Sequence, residues 1–156
     1  MWRYNDDVTQ IRDGGDYGIV HGGALHALYM DYKDKADIIL VYILEAHSTE
    51  GWKMGTTFSD AKQPITIEER IDRARDLLYI IPDTVTSDPY DTSKVRVVVD
   101  DMDNKFDETF WCWPDRSLAI KDGQLAFTGR NIVQQMKTPD KLLTTDLREW
   151  MEAQNE

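Results

Sequence analysis

Thiols are nearly absent from this chain: Cys112 is its single cysteine in 156 residues. An intrachain disulfide is thereby excluded, as is a cysteine-rich zinc site. Positive charge is scarce too, with 18 Lys and Arg against 29 Asp and Glu and a net charge of -11. That balance argues against a nucleic-acid phosphate backbone or an anionic membrane as the main partner. It suits a protein partner with a basic surface, or a larger complex, and leaves a homo-oligomer open. Long apolar runs are missing. The longest, Ile38–Leu44, spans seven residues, well short of the roughly 20 that cross a bilayer as a helix. Repeats and low-complexity tracts are also missing. The opening residues Met1–Asp7 are polar and mixed in charge, unlike a secretory signal or a basic amphipathic presequence. The expected place is the cytoplasm, or an organelle lumen if a targeting segment has been removed, and not the secreted space.

What is present is enough for one core. Apolar residues make up 41% and charged residues 30%, which fits one globular domain. Residues 1–16 are polar, break at Gly14-Gly15 and carry Trp2 and Tyr4, so they read as an N-terminal arm suited to anchoring on a partner. Residues 17–156 read as the domain.

The element pattern alternates. Tyr17–His21 reads as a short strand ending at Gly22-Gly23, and Ala24–Tyr32 as an amphipathic helix with Leu25, Leu28, Tyr29 and Tyr32 inward. Ile38–Leu44 has the β-branched, uninterrupted character of a strand covered on both faces. After a long polar loop, Thr66 and Glu69 form a capping box for a helix over about Ile67–Tyr79, with Ile67, Ile71, Ala74, Leu77 and Leu78 inward. Asp83–Ser93 reads as a turn-rich connection. Val95–Val99 is a second buried strand, and Asp103–Phe110 a short helix. Arg116–Ile120 and Gln124–Thr128 flank Asp122-Gly123, a hairpin signal because a type I′ turn needs positive φ at both central residues. Thr138-Pro139 opens the last helix, striped by Leu142, Leu143, Leu147, Trp150 and Met151. This order predicts an α/β, thioredoxin-like three-layer sandwich with a central mixed sheet, a C-terminal β-hairpin and a covering helix.

Five motifs in order resemble the iodothyronine deiodinase family. They are Tyr42-Ile43-Leu44-Glu45-Ala46-His47 leading to Gly51-Trp52, then Ile67-Glu68-Glu69-Arg70, then Val97-Val98-Val99-Asp100-Asp101-Met102-Asp103-Asn104. Trp113-Pro114-Asp115-Arg116 through Asp122-Gly123 follows, and Gly129-Arg130 with Leu147-Arg148-Glu149-Trp150 completes the set. The resemblance covers about residues 24–152. It implies a thioredoxin-like domain in which a selenocysteine, or a cysteine in some bacterial relatives, attacks the iodine of an iodothyronine from the end of the first core strand. Counting back from Ala36-Asp37 puts that nucleophile at about Gly15. Taking Tyr17–His21 as the first strand puts it in His21-Gly22-Gly23. Neither alignment supplies a sulfur or selenium, whose polarisability the reaction needs. Pro64 also stands where the family usually has a histidine.

The resemblance implies site roles for Tyr42, Glu45 and His47, which in the family line the site and handle protons. It implies substrate contacts for Arg130 and Trp52, and a cis peptide at Pro114. Structural roles compete with each. Glu45 and His47 could fix the path of the Glu50-Gly51-Trp52 loop. Arg130 could close a bidentate contact to a carboxylate or a surface ion pair. Cys112 could be a relocated nucleophile with His47 as proton donor or base and Glu45 as its orienter, or an inert apolar cysteine between two tryptophans. Asp100–Asn104 lacks the glycine and terminal glutamate of an EF-hand, so no metal and no cofactor is expected. Three readings follow. One is a deiodinase-like fold without redox chemistry that serves as a binding or structural subunit. The second is a thiol-dependent reductase or dehalogenase using Cys112. The third is a chain that is one piece of a longer polypeptide, or that pairs with a neighbour supplying the missing first strand and nucleophile.

Overall fold

The structure, a computed structural model, describes residues 17–53, 62–75, 78, 84–135, 137 and 143–154. The arm at 1–16, Gly15 and the Thr138-Pro139 start lie outside them. The element order is α1 (Tyr17–Tyr32), β1 (Ile39–Tyr42), α2 (Ile67–Arg75), β2 (Val85–Thr86), β3 (Val95–Val99), α3 (Lys105–Phe110), β4 (Leu118–Lys121), β5 (Gln124–Thr128), α4 (Ile132–Gln135) and α5 (Leu143–Ala153). Parallel strands, an antiparallel hairpin and helices make this the α/β protein expected.

The opening element differs from expectation. Tyr17–His21 is the start of α1 and not a strand. Gly22 and Gly23 sit inside that helix, at a propensity cost of about 1 kcal/mol each. Burial outweighs that cost: Leu25, Leu28 and Tyr32 form one inward stripe at 8%, 2% and 5% exposure. The helix α1 packs against α5. Arg148 reaches back to Asp31 at 2.6 Å and lies 5.8 Å from the Tyr32 ring centre.

β3 runs over the expected residues and is the middle of a parallel sheet ordered β1-β3-β2. Leu40 lies opposite Val97 and Tyr42 opposite Val99. β2 is two residues long, too short to leave a pattern in the sequence. β1 is an edge strand among the described residues, and its Ile39 is exposed. The strand that would cover its other side is not found among those residues. The hairpin β4-β5 accordingly forms a sheet of its own. Its turn is as expected, with Asp122 at φ 54° and Gly123 at φ 75°.

α2 starts at the expected cap. The Glu69 N–H donates to Thr66 Oγ1 at 3.2 Å, and the Glu69 carboxylate accepts the Ile65 N–H at 2.8 Å. The helix is described only to Arg75, so Leu77 and Tyr79 fall outside. Its inner face differs from the apolar stripe. Ile71 is exposed, while Arg70 and Ala74 are buried. Arg70 turns inward because its guanidinium finds backbone acceptors on the loop after β3. Ala74 packs with Tyr42, Val97 and Val99 to form the core between α2 and the sheet.

Candidate functional site

The site lies past the carboxyl ends of β1 and β3, where open α/β sheets hold their ligands. Two segments leave the sheet there. The Asp100 N–H donates to the Tyr42 carbonyl at 2.8 Å and extends the ladder one step beyond β3. After that step the chains diverge, one into Glu45–Trp52 and the other into Asp100–Asn104.

The second segment is held by two charged groups. Asp100, 5% exposed, caps α3: its Oδ1 accepts the Phe106 N–H at 3.1 Å and its Oδ2 the Asp107 N–H at 3.0 Å. A carboxylate on the free amides at a helix start is favoured by hydrogen bonding and by the helix dipole. Arg70, 1% exposed, donates to the Asp100 carbonyl (3.1 Å), the Asp101 carbonyl (2.7 Å) and Asn104 Oδ1 (2.9 Å). Asn104 takes a left-handed backbone, φ 54°, as Asn does more readily than most residues. This acidic loop is thus a cap and a clamp. Among the described residues no His, Cys, Asp and Glu cluster is arranged to hold a metal. In the sequence Arg70 stands out only as the end of the motif Ile67-Glu68-Glu69-Arg70. Its spacing of three from Ile67 and four from Ala74 is the sequence signal that places it on the inner helix face.

The first segment holds Tyr42, Glu45 and His47, all buried. The Tyr42 hydroxyl donates to Glu45 Oε1 in a short hydrogen bond. Gln63 grips the Glu45 backbone from both sides. Its Oε1 accepts the Glu45 N–H and its Nε2 donates to the Glu45 carbonyl, each at 3.0 Å. Nothing in the sequence around Gln63 announced that role, since its partner is 18 residues away. His47 Nδ1 donates to the Trp52 carbonyl at 2.9 Å, so in a neutral ring the acceptor lone pair sits on Nε2. Its ring also packs on the Trp52 indole, centres 4.9 Å apart. Trp52 then touches Trp113, centres 6.3 Å apart.

Trp113 brings in the third segment, 111–115. The Trp113–Pro114 peptide is cis, as the resemblance implied. The Trp113 N–H donates to Asp107 Oδ1 at 2.7 Å. Cys112 is 3% exposed. Burial, with help from the Asp107 and Asp100 carboxylates and against Arg116, pushes its thiol up from 9.0 to about 11. At neutral pH it is therefore a thiol, the non-nucleophilic form.

Arg130 follows the hairpin and already holds a carboxylate. Its Nε and a terminal nitrogen donate to the two oxygens of Asp146 on α5, at 2.9 and 2.7 Å. The Arg130 N–H adds a third contact at 3.3 Å. The pair ties the hairpin to α5 beside the stacked rings of Phe127 and Trp150, 5.6 Å apart. Asp146→Ala is expected to cost about 2 kcal/mol in urea unfolding, the scale of a charge-assisted bidentate contact that is only partly exposed. A cost under about 0.5 kcal/mol would mark the pair as an ordinary surface contact.

Comparisons with known proteins bear on the family of this chain. The sequence model of the iodothyronine deiodinase family matches residues 20–155. Type II iodothyronine deiodinase of Fundulus heteroclitus is 30% identical over 139 residues, covering 86% of this chain and 46% of that protein. Thyroxine 5-deiodinase of Sparus aurata is 26% identical over 129 residues, 83% of this chain and 42% of the relative. The human thyroxine 5-deiodinase is 25% identical over 133 residues, 85% and 38%. This chain spans less than half the length of the curated relatives it matches. Among the described residues no helix is long and apolar enough to cross a membrane. With the family model matching along nearly the whole α/β domain, the chain belongs to the iodothyronine deiodinase family and shares its thioredoxin-like fold.

Proposed function

We propose that this chain is a deiodinase-family domain that binds rather than reduces, acting as a protein-binding or structural subunit of a larger assembly. The observation that carries this reading is the state of Cys112. It is buried, and its proton is held to about pH 11, so it lacks the ionised sulfur that attack on iodine needs. The helical start at Tyr17–His21 supports the same reading, because one of the two alignments of the family's nucleophile required a strand there. Tyr42, Glu45 and His47 then keep structural work. Their hydrogen bonds run to one another's loop and to the Trp52 carbonyl, and they set the shape of the surface past the strand ends. The partner best suited to the acidic chain has a basic surface.

The chain of rings from His47 through Trp52 to Trp113 favours a second reading. It joins the histidine segment to the turn that carries Cys112, as a thiol-dependent reductase or dehalogenase with His47, Glu45 and Tyr42 around that sulfur would require. One assay separates the two. The pure chain, given thyroxine and dithiothreitol, is expected to release iodide no faster than the thiol alone. Turnover by the pure chain overturns the binding reading, and its loss in Cys112→Ser assigns the chemistry to that sulfur.

A further inference from the structure

Trp52 and Trp113 are large apolar rings left in water, 42% and 39% exposed, and their rings are in contact at 46°. Each is anchored from the main chain. The carbonyl of Trp52 accepts the buried His47 imidazole, and the N–H of Trp113 is fixed by Asp107. His47 also packs against Trp52 from the protein side. Rings already ordered lose little freedom on binding, which is why rigid aromatics make interface anchors. Trp111, two residues from Trp113, is 78% exposed and sits in a left-handed turn, φ 55°.

The exposed charge on the segments that carry these rings selects the ligand. The exposed charges on residues 45–53 and 100–116, the segments that carry them, are the acids Glu50, Asp101, Asp103 and Glu108 against the bases Lys53 and Lys105. Of the bases, Lys105 is paired with Asp103 at 2.8 Å. The acids Glu50, Asp101 and Glu108 are exposed. An indole face attracts a cation through its quadrupole, and arginine most often takes that place. The same molecule uses this contact elsewhere, with Arg148 and Lys35 both within 6 Å of the Tyr32 ring centre.

We propose that Trp52 and Trp113 form a docking patch for a cationic side chain, arginine foremost, on a basic segment of a protein partner. This rests on the binding reading above and names the residues that would carry it. The partner's guanidinium would lie over the exposed indole faces, and the surrounding acids would steer it in and discriminate against acidic segments.

The test titrates the whole chain with hexa-arginine, hexa-lysine and hexa-glutamate peptides at about 150 mM salt, where long-range charge attraction is screened. Saturable binding of hexa-arginine, tighter than hexa-lysine and absent for hexa-glutamate, is expected. Trp52→Leu and Trp113→Leu leave the net charge unchanged and are expected to weaken it about tenfold, while Trp113→Phe restores most of the loss. Equal binding by the leucine variants and the parent would reduce the attraction to bulk charge and overturn the proposal. So would a lack of saturable binding. Nuclear magnetic resonance on the unaltered chain removes dependence on variant folding. The indole N–H signals of Trp52 and Trp113 are expected to shift with hexa-arginine while that of Trp150 stays, and a uniform shift of all three overturns the patch. Failure here leaves the iodide assay untouched, and Cys112-dependent turnover would overturn the parent reading without altering the peptide titration.

Discussion

Arg70→Ala is expected to destabilise the fold by about 4 kcal/mol, which for a chain of this size lowers the melting temperature by about 12 °C. The reason is geometric. One guanidinium satisfies two carbonyls and one side-chain amide on the loop between β3 and α3. Removing it leaves those acceptors in a space that water does not freely enter, and each then forfeits a charge-assisted bond. A cavity follows as well, since Arg70 is among the largest fully buried side chains. Arg70→Lys is expected to recover little, because a single ammonium cannot serve three acceptors that a planar fork reaches together. Arg75→Ala is the comparison. Its partner Asp72 is on the same exposed helix face, so its loss is expected to stay within about 0.5 kcal/mol. Thermal melts of the three variants check this, and equal shifts for Arg70→Ala and Arg75→Ala would refute the clamp.

Cys112 carries the second large effect. With its thiol at about 11 against 9.0 for an unperturbed group, the folded protein holds about a hundredth of the usual thiolate at neutral pH. Alkylation by iodoacetamide at pH 7.5 is expected to run at least about 100-fold slower in the native chain than in urea, with burial adding to the thiolate deficit. Mass measurement against time reports the ratio. Native and unfolded rates within about threefold of each other would mean a reachable, ionisable sulfur, and with it the reductase reading. The same shift makes stability depend on alkaline pH. The unfolded thiol loses its proton near 9, while the folded one keeps it to about 11. Between these values the folded state binds more protons, so stability falls as pH rises. Below about pH 9 the contribution is fully present. Cys112→Ala is expected to flatten this stretch of the urea-midpoint profile.

Local rules were legible because they act over a few residues. The capping box at Thr66 and Glu69, the positive-φ pair Asp122-Gly123 and the five-residue strand Val95–Val99 each depend on neighbours in the chain. The motifs from Tyr42 to Trp150 carried the family by themselves, and with it the fold class.

Other features needed distant partners. Tyr17–His21 is as apolar as a short strand, yet it continues the helix α1, which packs on α5, across two glycines. Ile38–Leu44 has the composition of a strand covered on both sides. Its place at the sheet edge among the described residues depends on which strands pair with it there. Arg70 is a charged residue on an inward face, and its burial becomes affordable only once the loop after β3 presents its carbonyls. Arg130 has a carboxylate partner 16 residues ahead, and the contact between Trp52 and Trp113 joins segments 61 positions apart. Residues and their spacing along the chain set helix caps, turns and membership of the family. Packing across the sheet set which charged groups are buried and which aromatic rings meet, because those energies come from pairs that chain order alone does not bring together.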